Sequence, residues 1–450
     1  MFSFLREAAM RIAIIGSGIS GLVCARLLSY EHEVVVLEAD SRIGGHTNTL
    51  QTQWEGEAHA IDAGFIVYNE RTYPNFTRIL ADLEVATDPT SMSFSVRCDQ
   101  TGLEYNGGSL DGVFAQRKNL VSPYFLRMLA DILRFNRDGE KDLAKVPAEQ
   151  TVGEYLAEKG YSRQFAEKYL LPMGAAIWSC PLGQFSQFPI RFILEFYVNH
   201  GLLRLRDRPT WRVVRGGSQQ YVDRLVAPFR SQIRVNCPVR SVRRCHEDVL
   251  VMHEAGSERF DEVVFACHSD QALRLLADAD DIEQEMLSAF PYYASQACLH
   301  TDESVLPRSR RAWASWNYHV PAGDASRPTL TYNMNMLQHI DSRHTFCVTL
   351  NEDEAIDPAK VIARFNYSHP LFTTRRAEVQ RRHHELIRHR HTSYCGAYWR
   401  NGFHEDGVVS ALAVCRKFGI GDWSLGPQRP HARSPHVAPS LQAVSAGECA

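Results

Sequence analysis

The sequence has 450 residues, which exceeds the usual size of a single hydrophobic core, so we expect two packed regions with a deep cleft between them. Hydrophobic residues at 44% and charged residues at 22% are close to globular averages and exclude a disordered or fibrous class. The formal net charge of -3 excludes the positive field that holds phosphate backbones, so no nucleic-acid partner is expected.

The cysteine content and the hydropathy pattern indicate a cytoplasmic protein without membrane spans. The 11 cysteines are scattered, form no CxxC pair and show no zinc-binding spacing, which is typical of reduced thiols. No apolar run reaches the roughly 18 residues that a transmembrane helix requires. We therefore predict a cytoplasmic location.

The first predicted element is a buried parallel strand that ends in a glycine-rich turn. The apolar run RIAIIG is followed by Gly18 and Gly21, so that Gly16, Gly18 and Gly21 have GxGxxG spacing, with Ser20 in the same turn and a helical pattern after it. In such a turn the first glycine permits the bend, the second lets backbone approach a pyrophosphate, and the third lets helix and strand pack closely. The helix N-terminus offers its unpaired N–H groups to the phosphates.

A second strand completes this unit and ends in an acidic residue. EVVVLEAD places Glu38 twenty residues after Gly18, where a carboxylate accepts both hydroxyls of an adenosine ribose. A plain strand–helix–strand corner is the alternative. Because strand, helix, strand and acid are all in register, we predict a dinucleotide site.

A second glycine pair selects the dinucleotide. SRIGGHTNT follows directly and contains Arg42, Gly44 and Gly45, which in isolation is also typical of a surface turn. Two glycines so close to the ribose acid let a second loop wrap the same pyrophosphate, which matters more for the long FAD molecule than for NAD. The predicted cofactor is FAD.

At this point the sequence resembles the superfamily of flavin-containing amine oxidases, phytoene desaturases and protoporphyrinogen oxidases, in which the glycine fingerprint is followed by R-x-G-G-R. This chain reads RIGGH, so His46 replaces the second arginine. The resemblance continues in IDAGFIVYNE, RPTWRVVRGGSQQYVDRL, VNCPVRSVRR, FDEVVFACHSDQALRLL and the final YCGAYWRNGFHEDGVVSALAVCRKFG. It implies an α/β fold with a discontinuous Rossmann-like FAD-binding domain and an α+β substrate domain.

Further cofactor-binding residues are implied by the same resemblance. In the superfamily the valine that matches Val239 meets the adenine through its backbone. The last glycine and acidic stretch opens a helix at the ribityl and pyrimidine end of the flavin, which implies Gly396, Asp406 and Gly407. Gly407 opens the run VVSALAV, so a second helix N-terminus would face the flavin and favour its anionic reduced form.

A narrower resemblance rests on PMGAAIWSCP, FYVNHGLL, RPTWRVVRGGS, WASWNYH and GFHEDG. Together these stretches resemble a bacterial subfamily of FAD-binding oxidoreductases that is similar to the N-terminal portion of plant cyclopropane fatty acid synthases. Its members are often encoded beside lipid methyltransferases of the cyclopropane type. The resemblance implies a lipid substrate and a lipid methyltransferase as partner.

The dispersed FAD motifs predict a discontinuous nucleotide domain over residues 10–75, 210–285 and 392–420. The two insertions, 76–209 and 286–391, would form the substrate domain, the first largely helical and the second largely sheet. Residues 421–450 are rich in Pro, Gly, Ser and Ala and lack periodicity, so we predict a disordered tail.

The candidates for catalysis are His404 and Glu405 in GFHEDG, because the loop that enters the last helix lies beside the flavin in the superfamily. A histidine there could act as a base near neutral pH. The alternative is that both residues cap a helix or bind ribityl oxygens.

Two further segments have open interpretations. The aromatic stretch 174–201 is either a tunnel for a long-chain substrate or core packing, with His200 as an ordinary core histidine. The basic stretch 375–391 is either a patch for anionic lipid headgroups or a solvated helix face, and its histidines form no recognisable metal motif. No metal site is predicted, and peripheral contact with the inner membrane face is an alternative to a purely cytoplasmic location.

The prediction is therefore an FAD-dependent oxidoreductase that dehydrogenates or otherwise oxidises a hydrophobic substrate, such as a methylated or cyclopropanated fatty acyl chain of a lipid. One alternative is an amine oxidase. Another is a non-catalytic FAD-binding partner of a lipid methyltransferase.

Overall fold

The structure is a computed structural model and describes residues 9–178, 180, 182–204, 206–322, 329–351, 355–373, 375–421 and 423. The described strands are β1 (Arg11–Ile15), β2 (Glu33–Leu37), β3 (Thr49–Trp54), β4 (Glu57–Asp62), β5 (Val67–Asn69), β6 (Thr87–Thr90), β7 (Phe94–Cys98), β8 (Leu103–Asn106), β9 (Trp211–Val214), β10 (Ile233–Arg234), β11 (Val239–Arg244), β12 (Val249–His253), β13 (Gly256–Phe260), β14 (Glu262–Phe265), β15 (Tyr292–His300), β16 (Trp316–Val320), β17 (Thr329–Asn333), β18 (Cys347–Leu350), β19 (Val361–Pro370) and β20 (Thr392–Tyr394). The described helices are α1 (Ile19–Leu28), α2 (Pro74–Asp82), α3 (Leu110–Val113), α4 (Pro123–Leu143), α5 (Val152–Glu158), α6 (Arg163–Phe165), α7 (Leu171–Trp178), α8 (Leu182–Phe185), α9 (Ile190–Asn199), α10 (Gln219–Val226), α11 (Ser269–Leu275), α12 (Asp281–Leu287), α13 (Met334–Gln338), α14 (Arg376–Arg381) and α15 (His404–Lys417).

A five-stranded parallel sheet in the order β10-β2-β1-β14-β20 carries the glycine-rich turn. Its strands are apolar on both faces: Ile12 and Ile14 enter one hydrophobic core, and Ala13 and Ile15 enter the other. A parallel sheet covered on both faces requires such continuous apolar strands, and RIAII and EVVVL provide them. The sheet confirms the predicted α/β fold class.

Distant parts of the chain meet in this sheet. β1 pairs in parallel with β14, and β14 pairs in parallel with β20. The helices α1 and α15, which are far apart in sequence, pack against each other on one face of the sheet. As a result the N-terminal ends of both helices lie at the carboxyl edge of the strands.

A seven-stranded sheet in the order β19-β15-β18-β17-β16-β7-β8 forms the second large layer. The strands predicted in WASWNYHV and RPTLTYNMNML are present as β16 and β17. The helical pattern of residues 76–209 did not predict that β7 and β8 of that segment would join the same sheet. β7 pairs in parallel with β16 across more than two hundred residues of chain, and local periodicity carries no information about such a pairing.

Helices α4 to α9 form the remaining layer. α4 starts at Pro123 after Ser122, whose side chain accepts a hydrogen bond from the Phe125 amide. α5 starts with a reciprocal capping box between Thr151 and Glu154. These helices enclose a core rich in aromatic side chains, including Phe135, Phe165 and Trp178.

Two predictions concern the ends of the structure and its relation to membranes. Trp423 is buried and donates from Nε1 to Asp82 at 2.8 Å, so the packed chain continues past the predicted start of a disordered tail at 421. Residues 422 and 424–450 lie outside the described residues. In the part of the chain that the structure describes, no helix has the length and apolarity needed to cross a membrane.

Candidate functional site

The turn between β1 and α1 is shaped by its three glycines. Gly16 has φ +106°, and a Cβ there would lie 2.9 Å from the Ala266 carbonyl oxygen. A Cβ on Gly21 would lie 2.0 Å from the Gly16 carbonyl oxygen. By contrast, a Cβ on Gly18 would meet no atom within 4 Å. Gly16 and Gly21 thus serve the packing of the turn, and Gly18 leaves open space above its backbone.

The N-terminus of α1 faces this open space. Its N-cap residue is Gly18, no side chain caps it, and no acidic residue lies in its first turn. Ser17, Gly18 and Ser20 line a cavity at this point. Uncapped helix N–H groups together with the helix dipole form an anion-binding position.

Glu38 lies at the carboxyl end of the neighbouring strand β2. One carboxylate oxygen accepts hydrogen bonds from the Ser17 amide at 2.8 Å and the Ser17 hydroxyl at 2.6 Å. The other accepts from the Asp40 amide at 2.8 Å. These contacts fix the carboxylate at the cavity wall beside the glycine turn, as the predicted ribose contact requires.

The second glycine pair packs directly on the first turn. Gly44 donates its amide to the Ser17 carbonyl at 3.1 Å, and a Cβ on Gly45 would lie 2.8 Å from the Gly18 Cα. Arg42 holds this second turn from within, since its guanidinium donates to the carbonyl oxygens of Thr47 at 2.8 Å and Gly45 at 2.5 Å. Both turns line the same cavity, with Arg42 and His46 at its wall.

A second helix N-terminus approaches from α15. A Cβ on Gly407 would lie 2.8 Å from Ile19 Cγ2 and 2.9 Å from the Ser20 hydroxyl, so the absence of a side chain lets α15 pack on α1. Asp406 accepts a hydrogen bond from the Phe403 amide at 2.9 Å, and burial raises its pKa to about 6. Gly407 and Asp406 hold the start of α15 in place. Of the four residues HEDG that begin this helix, His404 is the one that lines the cavity.

The His404 ring is fixed by three neighbours. Its Nε2 lies 2.6 Å from the Tyr221 hydroxyl and 3.5 Å from the Thr47 hydroxyl, and its ring stacks on Phe65 with centroids 3.7 Å apart. Burial lowers the pKa of His404 to about 3. His404 is therefore a neutral, oriented hydrogen-bonding group at pH 7.

Glu405 points away from the cavity. Its carboxylate accepts from the amides of Asn75 at 3.2 Å and Phe76 at 2.9 Å, and from the Asn75 side chain at 2.6 Å. These amides belong to the first turn of α2, so Glu405 joins α15 to the start of that helix. Burial raises the pKa of Glu405.

The cavity has a volume of about 1260 Å³ and connects these elements to the helical layer. Val239 and Gly396, implied by the superfamily resemblance, both line it. The structure thus brings the predicted residues Gly16, Gly18, Ser20, Glu38, Arg42, Gly44, Gly45, His46, Val239, Gly396 and His404 to one cavity wall, while Gly21, Glu405, Asp406 and Gly407 lie behind it. A cavity of this size exceeds the usual range for a drug-sized ligand and has room for an extended cofactor with a substrate.

Two histidines that the sequence did not single out, His268 and His369, line the cavity beside the predicted His46. The His46 ring lies 5.4 Å from His369 and 6.0 Å from His268 between ring centroids. Burial lowers the pKa of His46 and of His268, and lowers that of His369 to about 4. His268 lies in the stretch FDEVVFACHSDQALRLL without being marked out there, His369 lies in none of the quoted stretches, and only the folded chain brings them to His46. Where the related R-x-G-G-R pattern has an arginine, this wall is polar and uncharged.

The far end of the cavity is apolar. Ile177 of α7, Phe196 of α9 and Trp211 of β9 line it, together with Phe403 just before α15. The Phe196 ring is 5.0 Å from Phe403 between centroids. We call this end the substrate chamber and define it by the residues Tyr169, Met173, Ile177, Phe196, His200, Leu202, Trp211 and Phe403. The aromatic stretch 174–201 contributes Ile177, Phe196 and His200 to the chamber and also supplies core residues such as Phe185.

His200 lies in the chamber wall. Its Nδ1 is 2.9 Å from the Phe196 carbonyl oxygen, and its ring stacks on Phe196 at 3.8 Å between centroids. Burial lowers the pKa of His200 to about 4. Since the carbonyl accepts from Nδ1, Nε2 carries no proton and His200 is a neutral wall residue.

The basic stretch 375–391 is largely engaged within the protein. Arg376 is buried over the Phe372 ring, Arg382 pairs with Glu285 and Glu385, and Arg390 pairs with Asp278. His389 comes within 4.8 Å of Asp280 and Glu283, a grouping that no motif in the sequence predicted. The Glu283 carboxylate already accepts from Arg244 and from the Tyr394 hydroxyl, so these oxygens are satisfied by the chain itself.

These features fit FAD. Open space above Gly18, an uncapped helix N-terminus and a fixed carboxylate at the end of β2 are what the pyrophosphate and ribose of a dinucleotide need. The structure is thus that of a dinucleotide-binding α/β protein with an added apolar chamber.

Comparison with known proteins gives the family. Residues 19–308 match the family model for flavin containing amine oxidoreductases, and the chain belongs to that family. The protein is an FAD-dependent oxidoreductase. A 55-residue stretch is 44% identical to an L-amino-acid oxidase of Mus musculus; this match spans 11% of the chain and 9% of that enzyme.

Solved structures share the fold across almost the whole chain. The CLA-producing fatty acid isomerase from P. acnes is similar with a TM-score of 0.66 at 16% identity, covering 92% of this chain and 100% of that one. Cyclohexylamine oxidase from Brevibacterium oxydans IH-35A is similar with a TM-score of 0.64 at 16% identity, covering 91% and 100%. A protein described as a putative protoporphyrinogen oxidase from Exiguobacterium sp. 255-15 is similar with a TM-score of 0.65 at 16% identity, covering 91% and 98%. At these identities the likeness concerns the fold.

Proposed function

We propose that the protein oxidises a hydrophobic substrate, namely a fatty acyl chain of a lipid that carries a methyl or cyclopropane group. The observation that carries the proposal is the chemistry of the substrate chamber, which is built from apolar and aromatic side chains and holds no carboxylate. Among the described residues that line the whole cavity, the carboxylates are Glu38 and Asp40. Both follow β2 at the nucleotide end.

This distribution favours an alkyl chain over an amine. An ammonium group in the chamber would lose its hydration without meeting a counter-charge, which is costly, whereas an alkyl chain gains from leaving water. The histidines near the chamber are neutral, as the lowered pKa values of His200 and His404 indicate, so they repel neither substrate. The similarity to a fatty acid isomerase supports an acyl substrate. Because an amine oxidase is similar too, an amine substrate stays the alternative.

The roles of individual residues follow from their positions. When bound, FAD would supply the hydride acceptor of the oxidation. The amides at Gly18 and the N-terminus of α1 would hold its pyrophosphate, Glu38 would hold its ribose, and the turn at Gly44 and Gly45 would lie beside them. We assign His404 contact with substrate or cofactor, because it lines the cavity.

Glu405 receives a different role in this proposal. Its carboxylate caps the first turn of α2 and is 5% exposed, so it acts as a positioning residue that fixes the start of α15 and with it the His404 ring. A lipid methyltransferase would supply the methylated or cyclopropanated chain, and we propose such an enzyme as partner.

The experiment is an anaerobic visible spectrum of the purified flavoprotein, before and after addition of phospholipids with unsaturated, methylated or cyclopropane chains, with simple amines in parallel. We expect the oxidised flavin band to disappear with one of the lipids and to persist with the amines. Bleaching by amines alone overturns the substrate assignment. A flavin that dithionite reduces but neither substrate class bleaches would favour the non-catalytic partner of a methyltransferase.

The chamber variant Ile177→Asp serves as the control for where the substrate binds. It should keep the flavin band, because Ile177 belongs to α7 and to neither glycine turn, and lose bleaching by the lipid. If the variant bleaches as fast as the unaltered protein, the reacting chain does not occupy the chamber.

A further inference from the structure

Exposed apolar side chains are concentrated in one part of the surface. Among the described residues, six of the nine large hydrophobic side chains that are exposed fall between residues 110 and 133, and the other three are Val235, Met252 and Ile282. The six, which we call the apolar patch, are Leu110, Leu120, Val121, Tyr124, Leu126 and Leu133. Leu110 and Val121 are each 81% exposed and Tyr124 is 71% exposed. Isolated exposed hydrophobics are ordinary, but a cluster of this kind marks an interaction surface.

Part of the patch arises from the distribution of apolar residues around α4. α4 buries Phe125, Met128 and Phe135 against the protein, and its outward positions include Leu126 and Leu133, which lie seven residues apart on one stripe. The helix start is anchored by the Ser122 cap, so Tyr124 and the preceding Val121 are held at the surface. The exposed side chains are therefore presented by rigid elements.

Basic residues lie beside the end of the patch that holds Leu110. Arg117 and Lys118 lie between Leu110 and Leu120 in the chain. Arg308, Arg310 and Arg311 reach the same face, because Arg311 lies 4.0 Å from the Asp111 carboxylate that also pairs with Arg117 at 2.5 Å. All five cations are exposed. The carboxylates paired with them are Asp111, Glu303 and Asp99, so positive charge is in excess by two.

The cavity opens beside this patch. Gly107 and Gly108 line the cavity and are exposed at the surface, and Leu110 follows after a single intervening residue. The loop is fixed, since the Gly108 amide donates to the Asn106 side chain at 2.7 Å and Asn106 donates to the Trp313 carbonyl at 2.6 Å. The exposed Leu110 and the cations beside it thus adjoin a surface loop that lines the cavity.

We propose that the apolar patch docks the protein on an anionic lipid bilayer, with Leu110, Val121 and Tyr124 in the interface between headgroups and acyl chains and the five cations on the headgroup phosphates. The charge complementarity selects a bilayer over a second copy of this chain, because two copies would bring like charges together. The surface differs from the basic stretch 375–391 in its apolar side chains, since none of the exposed large hydrophobic side chains of the described residues lies in that stretch. The proposal does not require the substrate to be a lipid.

The test is cosedimentation of the flavin-loaded protein with vesicles of phosphatidylcholine alone and of phosphatidylcholine with phosphatidylglycerol. We expect binding to the anionic vesicles that weakens with salt, and weak binding to the neutral ones. The double variant Val121→Asp/Tyr124→Asp is expected to bind the anionic vesicles about 100-fold more weakly. Each of Arg310→Gln and Arg311→Gln is expected to weaken binding about fivefold.

A matched control is Met252→Asp, which changes an exposed apolar residue on another surface and should bind as the unaltered protein does. The flavin spectrum of every variant shows whether it folds. Absence of binding to anionic vesicles, or equal binding by the double variant, overturns the proposal. So does a dimer of the unaltered protein in sedimentation velocity that the double variant abolishes without any vesicle binding. Vesicle binding by a protein that no lipid bleaches would uphold this proposal and refute the substrate proposed above.

Discussion

The two ends of the cavity are built by different means. At the nucleotide end, backbone forms the wall: the turns at Gly16, Gly18, Gly44 and Gly45 and the N-terminus of α1 present amides, with Glu38 as the fixed side chain. At the substrate chamber, side chains from α7, α9, β9 and the loop before α15 form the wall. A wall built from backbone tolerates few substitutions, so its glycines keep a fixed spacing that can be recognised in the sequence. A wall built from side chains can be altered one residue at a time, and these side chains determine which substrate fits.

The variant with the largest expected effect is Gly18→Leu, which tests whether the nucleotide end binds the cofactor. A Cβ at Gly18 meets no atom within 4 Å and the residue has φ -68°, so the chain accommodates the change, but the leucine side chain fills the space needed by the cofactor. We expect a folded, colourless protein, measured as the ratio of flavin to protein absorbance beside the thermal unfolding midpoint. Gly21→Ala is the contrasting variant and should lower the midpoint, because its Cβ would lie 2.0 Å from the Gly16 oxygen. A yellow Gly18→Leu protein would show that the dinucleotide lies elsewhere.

The next prediction places a charge in the substrate chamber. Ile177→Asp puts a carboxylate into an apolar wall and is expected to lower kcat/KM for an acyl substrate about 100-fold, while flavin content stays unchanged. Ile177→Asn has nearly the same shape without the charge and should lose less. If the substrate is instead an amine, the carboxylate pairs with it, and kcat/KM for amines rises in the aspartate variant.

The same contrast explains what the sequence could predict. The spacing of Gly16, Gly18 and Gly21 and the position of Glu38 lie within one local unit, so residue pattern alone predicts the strand, the turn, the helix and their shared edge. The helical period of residues 76–209 likewise predicted a largely helical segment, and Pro123–Leu143 is its longest described helix.

What the sequence could not predict depends on contacts between distant segments. No spacing in the sequence connects His268 and His369 to His46, and they meet it because β14 and β19 end at the same wall. Tyr221 orients His404 through its hydroxyl, but the sequence does not show which of its tyrosines reaches His404. The pairing of β7 with β16 and the exposure of Leu110 and Val121 also arise in the folded chain alone.

A smaller effect is expected at His404, between the two ends. Burial lowers its pKa from 6.5 to about 3, so between these values the unfolded chain binds a proton that the folded protein does not. The folded state therefore loses stability as the pH falls below 6.5, by about 2 kcal/mol at pH 5. His404→Gln keeps a polar group near Tyr221 and removes this loss. Urea unfolding gives the free energy of unfolding of both proteins at pH 7 and at pH 5. Between these two pH values, the free energy of unfolding of the variant should rise relative to that of the unaltered protein by about 2 kcal/mol.

The exposed His246 provides the matched control for that measurement, since His246→Gln removes an imidazole that folding leaves in water. Parallel pH dependences for His404→Gln and the unaltered protein would mean that His404 is protonated in the folded state, and its assignment as a neutral hydrogen-bonding group would be wrong.

The smallest effect is expected for Glu38→Gln, and it tests whether the two ends are independent. One carboxylate oxygen accepts two hydrogen bonds from Ser17 and the other accepts one from Asp40. A glutamine oxygen can keep the two from Ser17, but its amide nitrogen then faces the Asp40 N–H and that hydrogen bond is lost. We expect FAD affinity to fall about 10-fold in a titration of the apoprotein. Because Glu38 lies at the end of the cavity away from the chamber, kcat at saturating FAD should stay unchanged, and the exposed Glu31→Gln should change neither quantity. A fall in kcat with retained FAD would show that the carboxylate influences the chemistry, and the division of the cavity into a backbone-built binding end and a side-chain-built substrate end would no longer hold.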